Sequence, residues 1–231
     1  MIGIVVFAAA TLALNVYALV LVLTRSWLYR VPVYRPMVWN IALSLMPTIV
    51  LVAAVALLEL AVDAGSRALL GVVLAVGGVI WLLLLPNAAY LITELNFSHR
   101  REDSPVPAWY DIVQTLTLAL SGVANTLLNV TLAQLLVVSL IFPNVTHPFT
   151  RPASWIVVAG ILVLVTLGMY LGRYLRVNSW DIRHPIGFLG KLVDHFRVRA
   201  NRLEAFGFCL THSILLALLD ALTGVPLLIQ L

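Results

Sequence analysis

Glu94, Asp111 and Arg173 are the side chains of this sequence best suited to chemistry, because each stands at the edge of an apolar run long enough to cross a bilayer. A charge at such a place is costly unless it is paired, so it either holds helices together or serves a ligand or ion path. Asn87, Tyr90 and Glu94 recur at i, i+3 and i+7, one face of a helix. Pro86 precedes them and leaves the Leu82 carbonyl without its usual donor. Asp111 heads a longer stripe. At roughly 100° per residue, Asp111, Gln114, Thr115, Ser121, Gly122, Asn125 and Asn129 fall within a wedge of about 120°, which must face protein or water rather than lipid. Asn40, Ser44 and Thr48 share a face beside Pro47. Thr166, Tyr170 and Arg173 share another, with Gly168 and Gly172 as a small-xxx-small pair that permits close helix approach.

Two carboxylates could act as general acid and base while Arg173 or Arg176 holds an anionic group. No nucleophile motif accompanies them, neither Gly-x-Ser-x-Gly nor His-Glu-x-x-His. Cys209 is the one cysteine, so neither a disulfide framework nor Cys-x-x-Cys metal spacing exists, and no metal or cofactor is expected. Plainer roles compete at each position. Asn125 and Asn129 suit hydrogen bonds between helices, and Asp111 complements the positive end of its own helix. His212, a lone histidine, suits hydrogen bonding better than haem ligation. Asp220, deep in the last apolar run, suits a proton relay or a place near the outer interface.

These residues must be positioned by membrane-spanning helices. Of the 231 residues, 62% are hydrophobic and 10% are charged, far from the roughly 25% charge of a soluble domain. The net charge of +4 does not indicate nucleic acid, because the basic residues lie in short loops between apolar runs. Runs of about 20 apolar residues span a bilayer. Six qualify, near Ile2–Thr24, Val38–Leu58, Ala68–Leu95, Trp109–Ile141, Ser154–Arg173 and Leu203–Ile229. The first has no preceding Arg or Lys and exceeds the length of a signal h-region, so it is expected as a retained helix. The expectation is an all-α bundle, one six-helix membrane domain over residues 1–231.

Loop charges give its orientation. Arg25, Arg30, Arg35, Arg100, Arg101, Arg173, Arg176, Arg183, Lys191, Arg197, Arg199 and Arg202 fall on one side, and only Arg67 and Arg151 on the other. That asymmetry places loops one, three and five in the cytoplasm and both termini outside it. Within loop five, Leu189, Leu192, Val193, Phe196 and Leu203 repeat at helical spacing against Lys191, His195, Arg199 and Arg202. A short amphipathic helix near 186–202 on the cytoplasmic leaflet is expected, with membrane lipids as its partner. Arg-Pro-x-x-Trp opens both the second run (Arg35–Trp39) and the fifth (Arg151–Trp155), a pattern compatible with an inverted repeat.

In this topology the most polar residues of four helix ends meet at one depth. Asn87, Tyr90, Glu94, Asp111 and Arg173 should line one cytoplasmic-side cavity, with Asn40, Trp180 and Asp181 at its rim and Arg173 paired to a carboxylate. The same residues carry a resemblance. Trp39-Asn40-Ile41-Ala42-Leu43 with Pro47 is one block, and Leu85-Pro86-Asn87-Ala88-Ala89-Tyr90-Leu91-Ile92-Thr93-Glu94 is the second. Trp109-Tyr110-Asp111 is the third, and Gly168-Met169-Tyr170-Leu171-Gly172-Arg173 leading to Arg176-Val177-Asn178-Ser179-Trp180-Asp181 is the fourth. Together they resemble the bacterial multi-pass membrane family catalogued as domain of unknown function 1361. Glu94 stands where many members are expected to carry Asp, and Ala89 where a second Pro is usual. The resemblance implies a bacterial inner-membrane protein and supplies no activity. Three functions stay open: a binder or transporter of a small or lipidic ligand, with a homodimer expected if it transports; an intramembrane enzyme acting on a lipid headgroup; and an accessory or scaffold subunit of a membrane complex.

Overall fold

The computed structural model describes residues 2–95, 105–142, 149, 151–175 and 185–229. Among them every regular element is helical, and six helical spans are long and apolar enough to cross a membrane. α1 (Ile2–Tyr29) closes at Arg30, whose φ of 53° turns the chain out of the helix. α2 (Arg35–Asp63) opens with Pro36 in its first turn, where a missing N–H costs nothing, and carries Pro47 inside. The third span is composite: α3 (Arg67–Val72), a π-helical turn (Val73–Gly77), α4 (Gly78–Tyr90) and a 3-10 turn (Leu91–Leu95). Ser66 caps its start, its Oγ accepting from the Leu69 N–H. α5 (Ala108–Ile141) and α6 (Pro152–Tyr174) are the fourth and fifth spans. α7 (Pro185–Arg197) is the short helix, and α8 (Arg199–Ile229) carries the sixth span. The expected spans are all present, with ends extended by a few residues.

One boundary differs in kind. The helix expected near 186–202 stops at Arg197, and residues 199–202 belong to α8. The Arg202 guanidinium donates to the Phe196 and Arg197 carbonyls at 2.8 and 3.0 Å, closing α7 from the next helix. Leu189 and Val193 are exposed on α7, as an apolar face awaiting lipid would be.

α5 is the central post, touching α1, α2, α4, α6 and α8. More than half of its apolar window is buried, against 17% for α8. The main core joins Leu51 of α2, Leu85 and Ala89 of α4, Val130 of α5, Leu162, Val165 and Met169 of α6, and Leu216 of α8. Two glycines let these helices meet. A Cβ at Gly122 would lie 2.6 Å from the Ala88 carbonyl oxygen and from Leu91 Cβ, and one at Gly168 would lie 2.3 Å from Pro86 Cγ. Gly168 is therefore a contact point, as its spacing suggests. Among the described residues a Cβ at Gly172 would meet nothing within 4 Å, so no such contact forms there.

Candidate functional site

The α5 stripe faces protein. Gln114, Ser121, Gly122, Asn125 and Asn129 are buried, with Asp111 and Thr115 partly so. At mid-helix its amides are saturated. Asn15 of α1 and Asn125 exchange two side-chain hydrogen bonds of 2.9 and 3.0 Å, and the remaining Asn125 hydrogen goes to Ser44 Oγ at 2.9 Å. Asn129 donates to Thr48 Oγ1 at 2.7 Å and to the Asn125 carbonyl at 2.8 Å, and accepts from Trp81 Nε1 at 3.0 Å. Four spans are joined through two asparagines, which satisfies every donor of those two side chains in hydrocarbon.

The end of the bundle where α5 begins is different. Asp111, in the first turn of α5, takes an ion pair from Arg25 of α1, with Nε 3.1 Å from Oδ1 and both side chains about a quarter exposed. Its neighbour Tyr110 donates to the Leu21 carbonyl at 2.8 Å and lies 2.6 Å from Thr24 Oγ1. α1 is thereby fixed to the start of α5 at two successive positions. Gln114, one turn further in, donates to Met37 Sδ at 3.3 Å, but its Oε1 is buried with no donor. A buried amide oxygen left bare costs about 1–3 kcal/mol and calls for a water or ligand donor.

Arg173 does not pair with Asp111; its Nη1 donates to the Thr93 carbonyl at 3.3 Å, tying the end of α6 to the 3-10 turn. The counter-ion of Asp111 is thus Arg25 of the first helix, while the other carboxylate expected to pair with Arg173, that of Glu94, lies outside the described residues. The geometric reason is that α1, not α6, runs beside the first turns of α5. Asn87 and Tyr90 are half-buried on the third span, and Asn40 is half-buried near the start of α2. Trp180, Asp181 and the Glu94 side chain lie outside the described residues.

Against α6 at this end sits a second polar cluster that spacing alone did not single out. Asn201 Nδ2 can only donate, so His195 Nδ1, 3.3 Å away, must accept, and the His195 proton sits on Nε2. Nε2 then donates to the Tyr170 hydroxyl at 2.9 Å, and that hydroxyl donates to the Asn201 carbonyl at 3.2 Å. The loop of bonds fastens α7 to α6 and α8. Tyr170 also stacks on Tyr174, with ring centroids 4.4 Å apart. His212 Nδ1 lies 2.9 Å from the Phe208 carbonyl and its ring stacks on Phe208.

Six apolar spans, a central helix with its polar stripe turned inward, and polar residues gathered at one end define a multi-pass α-helical membrane protein. The chain belongs to the family described as protein of unknown function (DUF1361), whose match covers residues 39–219. Comparison with curated proteins and with solved structures found no match.

Proposed function

We propose that this protein binds or transports a small or lipidic ligand, whose polar head occupies the end of the bundle built by Asn87, Tyr90, Glu94, Asp111 and Arg173. The rim expected from the sequence adds Asn40, Trp180 and Asp181. The bare Gln114 Oε1, buried one turn inside the Arg25–Asp111 pair, is the observation that carries this reading. Helix-joining amides need no ligand, and those of α5 mid-helix are fully partnered; this one is not. The loop charges support a site facing the cytoplasm, with both termini outside it, in what we read as a bacterial inner membrane. A guanidinium at Arg173 suits an anionic head.

Delipidated protein titrated with short-chain phosphatidylglycerol, short-chain phosphatidylcholine or inorganic phosphate tests this directly. Phosphatidylglycerol should raise Tm, and Arg173→Gln and Asp111→Asn should each reduce the apparent affinity about tenfold or more, a loss of about 1.4 kcal/mol. Stabilisation by phosphate alone would identify a small anion rather than a lipid. Equal responses of wild type and both variants to all three probes would defeat the proposal. Phosphatase and fluorescent reporters fused at Leu231 check the orientation, and a cytoplasmic C-terminus would reverse the site's facing.

A further inference from the structure

At the opposite end of α5 lies a carboxyl group that the ligand site does not use. Asp220 of α8 is 4% exposed, and among the described residues no hydrogen bond or ion pair reaches it. Its Oδ1 comes within 2.6 Å of the place a Gly224 Cβ would occupy. Thr131 Oγ1, from α5, comes within 3.2 Å of the same point. Thr131 is fully buried and its hydroxyl has no partner; one turn on, the buried Gln134 Oε1 has none either. The Gly224 hydrogen keeps open a small gap that two oxygens face. A groove of about 190 Å³ between α6 and α8 leads to the carboxyl, walled by Trp155, Val158, Ala159, Leu162, Ala217 and Ala221. Its alanines are exposed, so it opens on the outer surface of the bundle.

We propose that Asp220 is a proton-binding site: the carboxylate takes up one proton through the groove and releases it by the same path, with the Thr131 hydroxyl hydrogen-bonded to the protonated form. An unpaired carboxylate inside a membrane span is a heavy cost and marks an ion path by default. A hard metal cation prefers about six oxygen ligands, whereas the groove walls are apolar and, among the described residues, the bare oxygen that shares the gap beside Gly224 with the carboxyl is Thr131 Oγ1. Among the described residues no other ionisable group shares the space. On α5 the ionisable side chains are Tyr110 and Asp111, both about 30 Å from Thr131 along the helix. On α6, Arg151 lies over the Phe142 ring, while Tyr170, Arg173 and Tyr174 are at the far end. On α8, His212 and Cys209 are two or more turns away, and Arg199, Arg202 and Glu204 are further still. The inference is independent of the ligand site.

Dicyclohexylcarbodiimide, an apolar reagent that attacks protonated carboxyl groups, tests it on the full chain in lipid nanodiscs. Peptide mass spectrometry should find the label on Asp220, falling about tenfold or more from about pH 5 to about pH 9. Asp220→Asn should lose the label and Asp220→Glu keep it, while Thr131→Val should shift the labelling midpoint. Absence of label at low pH in monodisperse protein, or label independent of pH, overturns the proposal. Protection by Na⁺ at fixed pH overturns it in favour of a metal cation, and an unmoved midpoint in Thr131→Val removes the hydroxyl's role.

Discussion

The middle and the two ends of α5 are made of the same residue types and behave oppositely. At mid-helix Asn125 and Asn129 place every side-chain hydrogen on a partner and receive one or more in return. Towards the ends, Gln114 Oε1, Thr131 Oγ1 and Gln134 Oε1 are buried and bare. Polarity inside a membrane protein therefore does not by itself mark function. Saturation separates the two uses: amides that satisfy one another hold helices, and groups left wanting a partner mark places where something else arrives.

The sharpest way to break this contrast is to overfill the saturated middle. Gly122→Ala puts a methyl 2.6 Å from the Ala88 carbonyl oxygen and should cost about 2–3 kcal/mol. It would be seen as a lower Tm and loss of monodisperse protein. Gly172→Ala, which meets nothing within 4 Å, should leave both unchanged. Next in size, Asn125→Leu strips Asn15 of its partner and should cost about 1–2 kcal/mol, with the Asn15→Leu/Asn125→Leu double variant recovering part of it in a thermal-unfolding cycle. Smallest in stability is Gln114→Leu. It removes an unsatisfied oxygen along with one weak bond to sulfur, so the unfolding free energy should hold to within about 0.5 kcal/mol while retention of phosphatidylglycerol falls. A Gln114→Leu protein that unfolds as readily as Asn125→Leu would erase the distinction between middle and end.

Much of this was legible in the residues. The α5 wedge faces protein because a 34-residue helix with a polar stripe has nowhere else to turn it, and periodicity alone carries that information. Gly168 was legible for the same reason. The partner of Asp111 was not. Arg25 reads as a loop charge, and only the packing of the first helix against the fourth span makes it a counter-ion. The link from Tyr170 through His195 to Asn201 was equally hidden, since it joins three helices whose order in space no local pattern specifies. The π-helical turn at Val73–Gly77 falls in an apolar run whose one local mark is the Gly77–Gly78 pair that closes it.

The ion pair between Arg25 and Asp111 crosses a boundary that the fold does not otherwise reveal. The family match begins at residue 39, so α1 lies outside it, yet Asn15, Thr24 and Arg25 of α1 complete Asn125, Tyr110 and Asp111 inside it. The shared portion of this chain is thus chemically unfinished on one side. A leading helix stripped of these three partners keeps only its apolar surface, so an Asn15→Leu/Thr24→Val/Arg25→Gln chain should insert normally and then fail to settle. Complementation by a separately expressed residue 1–34 segment should succeed only when positions 15, 24 and 25 match the host's fourth span.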